Sequence, residues 1–178
     1  MRANWFIGLP VISDGWFARL SPPPPGFRLF APSDLHFTIA FLGPVDEPAA
    51  RSAFAALVWP LHAIDATLGA VVPMGPPARY SALSALLVEG RGVVEQAIGS
   101  SRDAAYEAAE VALDARPAKA HLTLARPQRR ASADERARGL VWANDLTLTG
   151  TPVRIGAPAL FTWAFDRGQT LFRIVETA

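Results

Sequence analysis

Short apolar runs closed by Gly, Pro or Asp dominate the chain, and two Ala-rich stretches of helical character interrupt them. Trp5 to Ile12 is apolar almost throughout and stops at Ser13-Asp14-Gly15, which predicts a buried strand. Phe27 to Phe30 predicts a short strand, and Leu35 to Leu42 a longer one ending at Gly43-Pro44. Further strands are expected at Leu68 to Val72, Tyr80 to Val88 and Ala120 to Ala125, the last stopped by Arg126-Pro127. Alternating segments fill the tail at 145–149, 152–158, 159–165 and 170–175, with a hairpin turn at Asp166-Arg167-Gly168-Gln169. Helices are expected at Asp46 to Leu57 and Gly92 to Leu113, the second broken by Arg116-Pro117. Strands outnumbering helices in this order predict an α+β fold with antiparallel sheet. Pro22 to Pro25 cannot lie inside a helix or a central strand and read as a stiff surface excursion.

Composition narrows the function. Of 178 residues 51% are hydrophobic and 19% charged, enough to bury a core. The net charge of +1 supplies no overall field for gripping long nucleic acid, while a short end or a nucleotide stays compatible. With no cysteine there is no disulfide, thiolate metal site or thiol nucleophile. Signal-peptide character and an apolar run long enough to cross a membrane are both missing, so a cytoplasmic location is expected. The charged stretch Gln128 to Arg138 is read as a solvated helix or loop rather than an RNA-contacting patch. No Gly-rich phosphate loop is present: Gly8, Gly43 and the Gly90/Gly92 pair do not fit the spacings.

The candidate chemistry sits in a unit that occurs twice. His36-Phe37-Thr38-Ile39 is followed by Ala40, and His121-Leu122-Thr123-Leu124 by Ala125. Two of the chain's three histidines head these tetrads; His62 lacks the pattern and is taken as structural or exposed. On a strand, His and Thr at i and i+2 share one face and the apolar residues share the other. Brought face to face, the two copies offer two imidazoles and two hydroxyls around one anion. Imidazole can accept or donate a proton near neutral pH, so one can be the base on water and the other the acid on a leaving oxygen. The hydroxyls of Thr38 and Thr123 can donate to phosphate oxygens. Neither tetrad has a carboxylate on its His/Thr face, so a metal is not expected. Arg126 matches His121 in parity only if the strand ends or bulges first; so placed, it would contact phosphate. Lys119 is a second basic candidate, and Phe41, Tyr80, Trp163 and Phe165 could stack on a base.

The segments Leu35-His36-Phe37-Thr38-Ile39-Ala40-Phe41-Leu42-Gly43 and Arg116-Pro117-Ala118-Lys119-Ala120-His121-Leu122-Thr123-Leu124-Ala125-Arg126 resemble the paired motifs of the two-histidine (2H) phosphoesterase superfamily. Within it they look like the RNA 2',3'-cyclic phosphodiesterases, also called the 2'-5' RNA ligase family. The resemblance implies a single bilobed domain over residues 1–178, with two mainly antiparallel sheets facing a central cleft, helices outside and a pseudo-two-fold axis. It implies catalytic His36 and His121, phosphate-binding Thr38, Thr123 and Arg126, and neither cofactor nor metal. His36 would be the acid and His121 the base. The implied partners are RNA ends or small cyclic nucleotides as substrates, with no membrane, and the chain is expected to be a monomer. A 2'-phosphomonoester would be the product, and 2'-5' ligation the reverse reaction. Alternatives on the same site are a cyclic phosphate of ADP-ribose, a 2'-5' oligonucleotide, or nucleotide binding without turnover. Two departures stand out. The proline run occupies the place where the family usually has a helix between the first strand and the first motif, which would open one end of the cleft. Ala120 stands where Pro is common.

Overall fold

The computed structural model describes residues 2–62 and 64–178. Nine strands and three α-helices follow in the order β1 (Trp5–Ile12), β2 (Phe27–Leu29), β3 (His36–Gly43), α1 (Glu47–Ala56), β4 (Ala66–Pro73), β5 (Leu83–Leu87), α2 (Arg91–Ala108), β6 (His121–Pro127), α3 (Ala133–Asp145), β7 (Pro152–Ile155), β8 (Ala159–Trp163) and β9 (Phe172–Thr177). Every strand pairing is antiparallel. One half of the sheet runs β3-β1-β8-β9 and the other β2-β6-β5-β4, and β7 bridges them by pairing with both β4 and the end of β1. β1 is nearly continuous in apolar residues because it lies between β3 and β8 and is covered on both faces. Among the described residues no helix is long and apolar enough to cross a membrane.

The two halves repeat one another. In each, a central strand (β1 or β5) leads by way of a connecting segment to a strand that begins with the histidine (β3 or β6), and a helix follows (α1 or α3). Between β5 and β6 the connection is α2, which packs on α1. Between β1 and β3 it is the proline segment, and this packs on α3. Trp16 and Phe17 bury themselves, Trp142 of α3 donates from Nε1 to the Ser21 carbonyl at 3.0 Å, and the Gly26 carbonyl accepts from Gln128 N at 2.7 Å. Gly26 has φ +85°, a conformation glycine adopts without strain, and turns the chain into β2 at the edge of β6. The stiff segment thus stands where the symmetric helix would lie.

Sequence expectation and fold differ at two helices. The stretch expected to stay helical to Leu113 stops at Ala108, because Glu110 enters the left-handed region (φ 56°) and Val111 N reaches back to the Tyr106 carbonyl. The charged stretch from Gln128 leads into α3, a third helix that runs well past Arg138. Ser132 caps it reciprocally with Glu135: Glu135 N donates to Ser132 Oγ, and Ser132 N to Glu135 Oε2. Most of its charges point to solvent, but Arg136 turns inward, donating to the Tyr80 carbonyl at 2.7 Å and lying over the Tyr80 ring, and only Gly139, Trp142 and Ala143 are buried. A Cβ at Gly139 would come within 2.7 Å of the Tyr80 hydroxyl, so glycine lets the helix lie down on Phe27 and Tyr80. The 145–149 segment, expected as a strand, is the helix end followed by loop.

Candidate active site

Each tetrad opens a strand whose apolar positions anchor it: Phe37, Leu122 and Leu124 are fully buried and Ile39 is 2% exposed. Burying side chains of this size stabilises by about 1.5–3 kcal/mol each, which holds the intervening polar face in one register. His36 donates from Nδ1 to the Asp34 carbonyl at 2.6 Å, and His121 from Nδ1 to the Lys119 carbonyl at 2.8 Å. A carbonyl can only accept, so both rings are held in the Nδ1–H form when neutral. In both, Nε2 is left with the lone pair.

The strands also break alike. Gly8 pairs with Thr38 and Ile7 with Ala40, so Ile39 is an extra residue in β3. Ser84 pairs with Thr123 and Leu83 with Ala125, so Leu124 is an extra residue in β6. Each is a β-bulge one position after the threonine, and it re-aims the rest of its strand. Phe41 and Arg126, both five residues after a histidine, consequently line the cleft on the face that strict alternation would deny them. Arg126 stacks its guanidinium over Phe30 at 5.3 Å from the ring centroid.

Two adjoining cavities make up the cleft. The larger, about 800 Å³, is lined by His36, Phe30, Trp163, Arg28, Arg126 and Arg167 among others; the smaller, about 490 Å³, by His121, Lys119, Met74 and Tyr106. Thr38, Phe41 and Arg116 line both. The larger cavity has five arginines (Arg28, Arg116, Arg126, Arg129, Arg167) and no carboxylate on its walls. In a chain of net charge +1 this is a strong local segregation of charge.

The two imidazoles feel one common cation but differ in how they are enclosed. His36 is packed among Phe6, Phe161 and Phe172, whose ring centroids lie 4.6, 5.4 and 5.5 Å from its own. Burial lowers its pKa to about 4, and the charges of Arg126 and His121 push the same way against the Asp34 carbonyl. Burial also lowers the pKa of His121, with Lys119 and Arg126 adding to it. Arg126 therefore acts on both rings, and His121 on His36.

Asp34, which sequence reading passed over, supports the first histidine twice. Its carbonyl orients His36, while its fully buried carboxylate accepts from Ala31 N, Leu171 N, Phe172 N and the Thr170 hydroxyl. It thus ties the turn before His36 to the start of β9, whose Phe172 rests edge-on against the imidazole. A carboxylate two residues before a candidate histidine was the available signal. Ser84 was also passed over. It is a fully buried hydroxyl in an apolar strand, 3.2 Å from Thr123 Oγ1.

The remaining expected residues divide. Thr38 lines the cleft, whereas Thr123 is 8% exposed on the strand face it shares with His121. Lys119 lines the smaller cavity. Of the aromatics, Phe41 and Trp163 line the cleft, Trp163 under the Arg167 guanidinium at 4.2 Å. Tyr80 is in the core, donating to the Arg136 carbonyl, and Phe165 is 92% exposed and pairs with Arg173 away from the cleft. His62 is exposed and lines neither cavity. Among the described residues no three His, Asp or Glu side chains gather as metal ligands would. Arg129 stands on the cleft wall, so part of the stretch read as merely solvated borders the site.

Two strands that each open with an imidazole meet at one arginine-walled cleft: His36 and Thr38 line it from β3 and His121 from β6, while Thr123 lines neither cavity. No family model matches the chain, and no curated protein does. Solved structures match over nearly its whole length. E. coli LigT, crystallised with 3'-AMP, superposes with a TM-score of 0.66 at 17% identity, covering 100% of this chain and 98% of that one. A protein described as a phosphoesterase gives 0.67 at 18%, with 100% and 98% covered. TT0787 of Thermus thermophilus gives 0.60 at 19%, with 97% and 95% covered. At these identities the likeness establishes the fold, which is the one the paired motifs led us to expect.

Proposed function

We propose that the chain is one bilobed phosphoesterase domain that hydrolyses the 2',3'-cyclic phosphate of RNA ends or nucleotides to a 2'-phosphomonoester, without a metal. The observation that carries this reading is the pair of matching Nδ1–carbonyl locks, which leave two Nε2 atoms free at a cleft whose Arg126 acts on both rings. One Nε2 takes a proton from water as its oxygen attacks phosphorus. The P–O3' bond breaks, and the other imidazole returns a proton to the 3'-oxygen. Arg126 and the Thr38 hydroxyl line the cleft where charge builds on the non-bridging oxygens, and Thr123, on the strand face of His121, is assigned as the matching donor. With a 5'-hydroxyl in place of water as the attacking group, the same displacement of the 3'-oxygen would form a 2'-5' linkage. E. coli LigT, of the same fold, has been crystallised with 3'-AMP, ATP, NADP+ and phosphate, all phosphate-bearing ligands. Arg116 is held by the Asp114 carboxylate, and the other four arginines of the larger cavity suit a substrate with more than one phosphate.

Electrostatics favours a division of labour opposite to the one the family resemblance implies. With its pKa near 4, His36 is neutral at pH 7 and ready to accept a proton, so we assign it the base. His121 lies outside the phenylalanine cage, so an anion bound between the rings restores its proton more readily than that of the caged His36, which suits the acid. The test is incubation with 2',3'-cyclic AMP in EDTA and identification of the monophosphate formed. 2'-AMP is expected. No turnover, or activity lost to the chelator, would overturn the reading; binding of 2'-AMP without hydrolysis would leave a nucleotide-binding module. Faster turnover of an ADP-ribose cyclic phosphate or a 2'-5' oligonucleotide would redirect the substrate.

A further inference from the structure

Ser84 and Thr123 lie directly opposite one another on β5 and β6, on the strand face that also carries His121. Ser84 is fully buried, and among the described residues its hydroxyl has one partner, Thr123 Oγ1 at 3.2 Å. Each hydroxyl has one proton to give. Were Thr123 the donor, the Ser84 proton would be sealed in the sheet with no acceptor, an arrangement buried polar groups avoid. The favoured polarity has Ser84 donating and Thr123 accepting, so the Thr123 proton is free and turned away from Ser84.

The other half lacks this device. Gly8 stands opposite Thr38, and a Cβ there would come within 2.9 Å of the Phe37 carbonyl oxygen. No side chain can fill the role of Ser84 at that position, and the Thr38 hydroxyl has no hydrogen bond among the described residues. We propose that Ser84 is a positioning residue: by occupying the acceptor side of Thr123 it presets that hydroxyl as a donor to the bound anion, while Thr38 remains an adjustable donor. The inference rests on the phosphoesterase reading of the cleft.

A double-mutant cycle tests it. Ser84→Ala, Thr123→Val and the pair are assayed on 2',3'-cyclic AMP, with melting temperature recorded for each and the same set repeated with Thr38→Val in place of Thr123→Val. Ser84→Ala is expected to lower kcat/KM about tenfold alone and less than about twofold once Thr123 is Val, while its effect persists beside Thr38→Val. Inorganic phosphate titrated by calorimetry should show the same coupling between Ser84 and Thr123. A Ser84→Ala enzyme with full kcat/KM, or a loss that survives undiminished in the Thr123→Val background, would overturn the proposal. If the wild-type chain turns over no cyclic phosphate, the phosphoesterase reading fails by itself, and the calorimetric cycle still decides the role of Ser84.

Discussion

His36 and His121 head matching tetrads, donate from Nδ1 to the carbonyl two residues back, and precede bulges at Ile39 and Leu124, yet their surroundings diverge. His36 is enclosed by three phenylalanine rings and backed by the buried Asp34. His121 has no such cage, but its threonine is tied to Ser84 and its bulge delivers Arg126 where the first delivers Phe41. Duplication thus supplies the geometry of a paired site, and local substitution makes its two members unequal. At matching offsets the two strands thus bring an aromatic and a cation onto the wall of the same cavity.

The most severe way to probe this inequality is removal of each ring. His36→Ala and His121→Ala should each lower kcat by about 10²–10⁴-fold, with far-ultraviolet circular dichroism unchanged. A near-normal rate in either would show that one imidazole is dispensable.

Arg126→Gln comes next, with an expected loss of about 10²–10³-fold in kcat. Because Arg126 lowers the pKa of both histidines, its removal should raise both in an NMR titration. A change at only one ring would mean that the arginine belongs to one half.

Asp34→Asn puts an amide N–H₂ among donors that expect a carboxylate and should cost roughly 3 kcal/mol of folding stability, read from denaturant unfolding. Asp34 has no counterpart at the same offset before His121, where Lys119 stands, so the second half offers no equivalent lesion.

The pH dependence separates the halves further. The unfolded chain binds a proton at His36 near pH 6.5 and the folded chain only near 4, so stability should fall as pH drops through that window and stay flat above it. The difference caps this contribution at about 3 kcal/mol, and His36→Ala should flatten the slope of melting temperature against pH. Phe41→Ala is the mildest probe, with an expected loss of about 1–3 kcal/mol of base-stacking affinity and little effect on an inorganic phosphate inhibitor.

Much of the frame could be read in advance because it rests on local rules. The apolar run at Trp5–Ile12, the Asp46 cap of α1 and the Gly43-Pro44 stop act within a few residues. The third helix reads in sequence only as a solvated helix or loop ending near Arg138, because its buried face is just Gly139, Trp142 and Ala143 against a background of charge. Phe41 and Arg126 could be suspected but not oriented, since a bulge depends on the partner strand's register, which lies far off in sequence. The place of Asp34 two residues before His36 was a signal, but what it and Ser84 support was not legible, because their partners stand at positions 171 and 123.

The sequence by itself determined which residues could do chemistry and that each histidine shares a strand face with a threonine, because side-chain alternation along a strand is a property of the backbone. Only the tertiary structure decided which of those groups are dry, tethered or exposed to a neighbouring charge. Desolvation and Coulomb interactions depend on distance in space, and the chain acquires those distances only when its two halves close on each other.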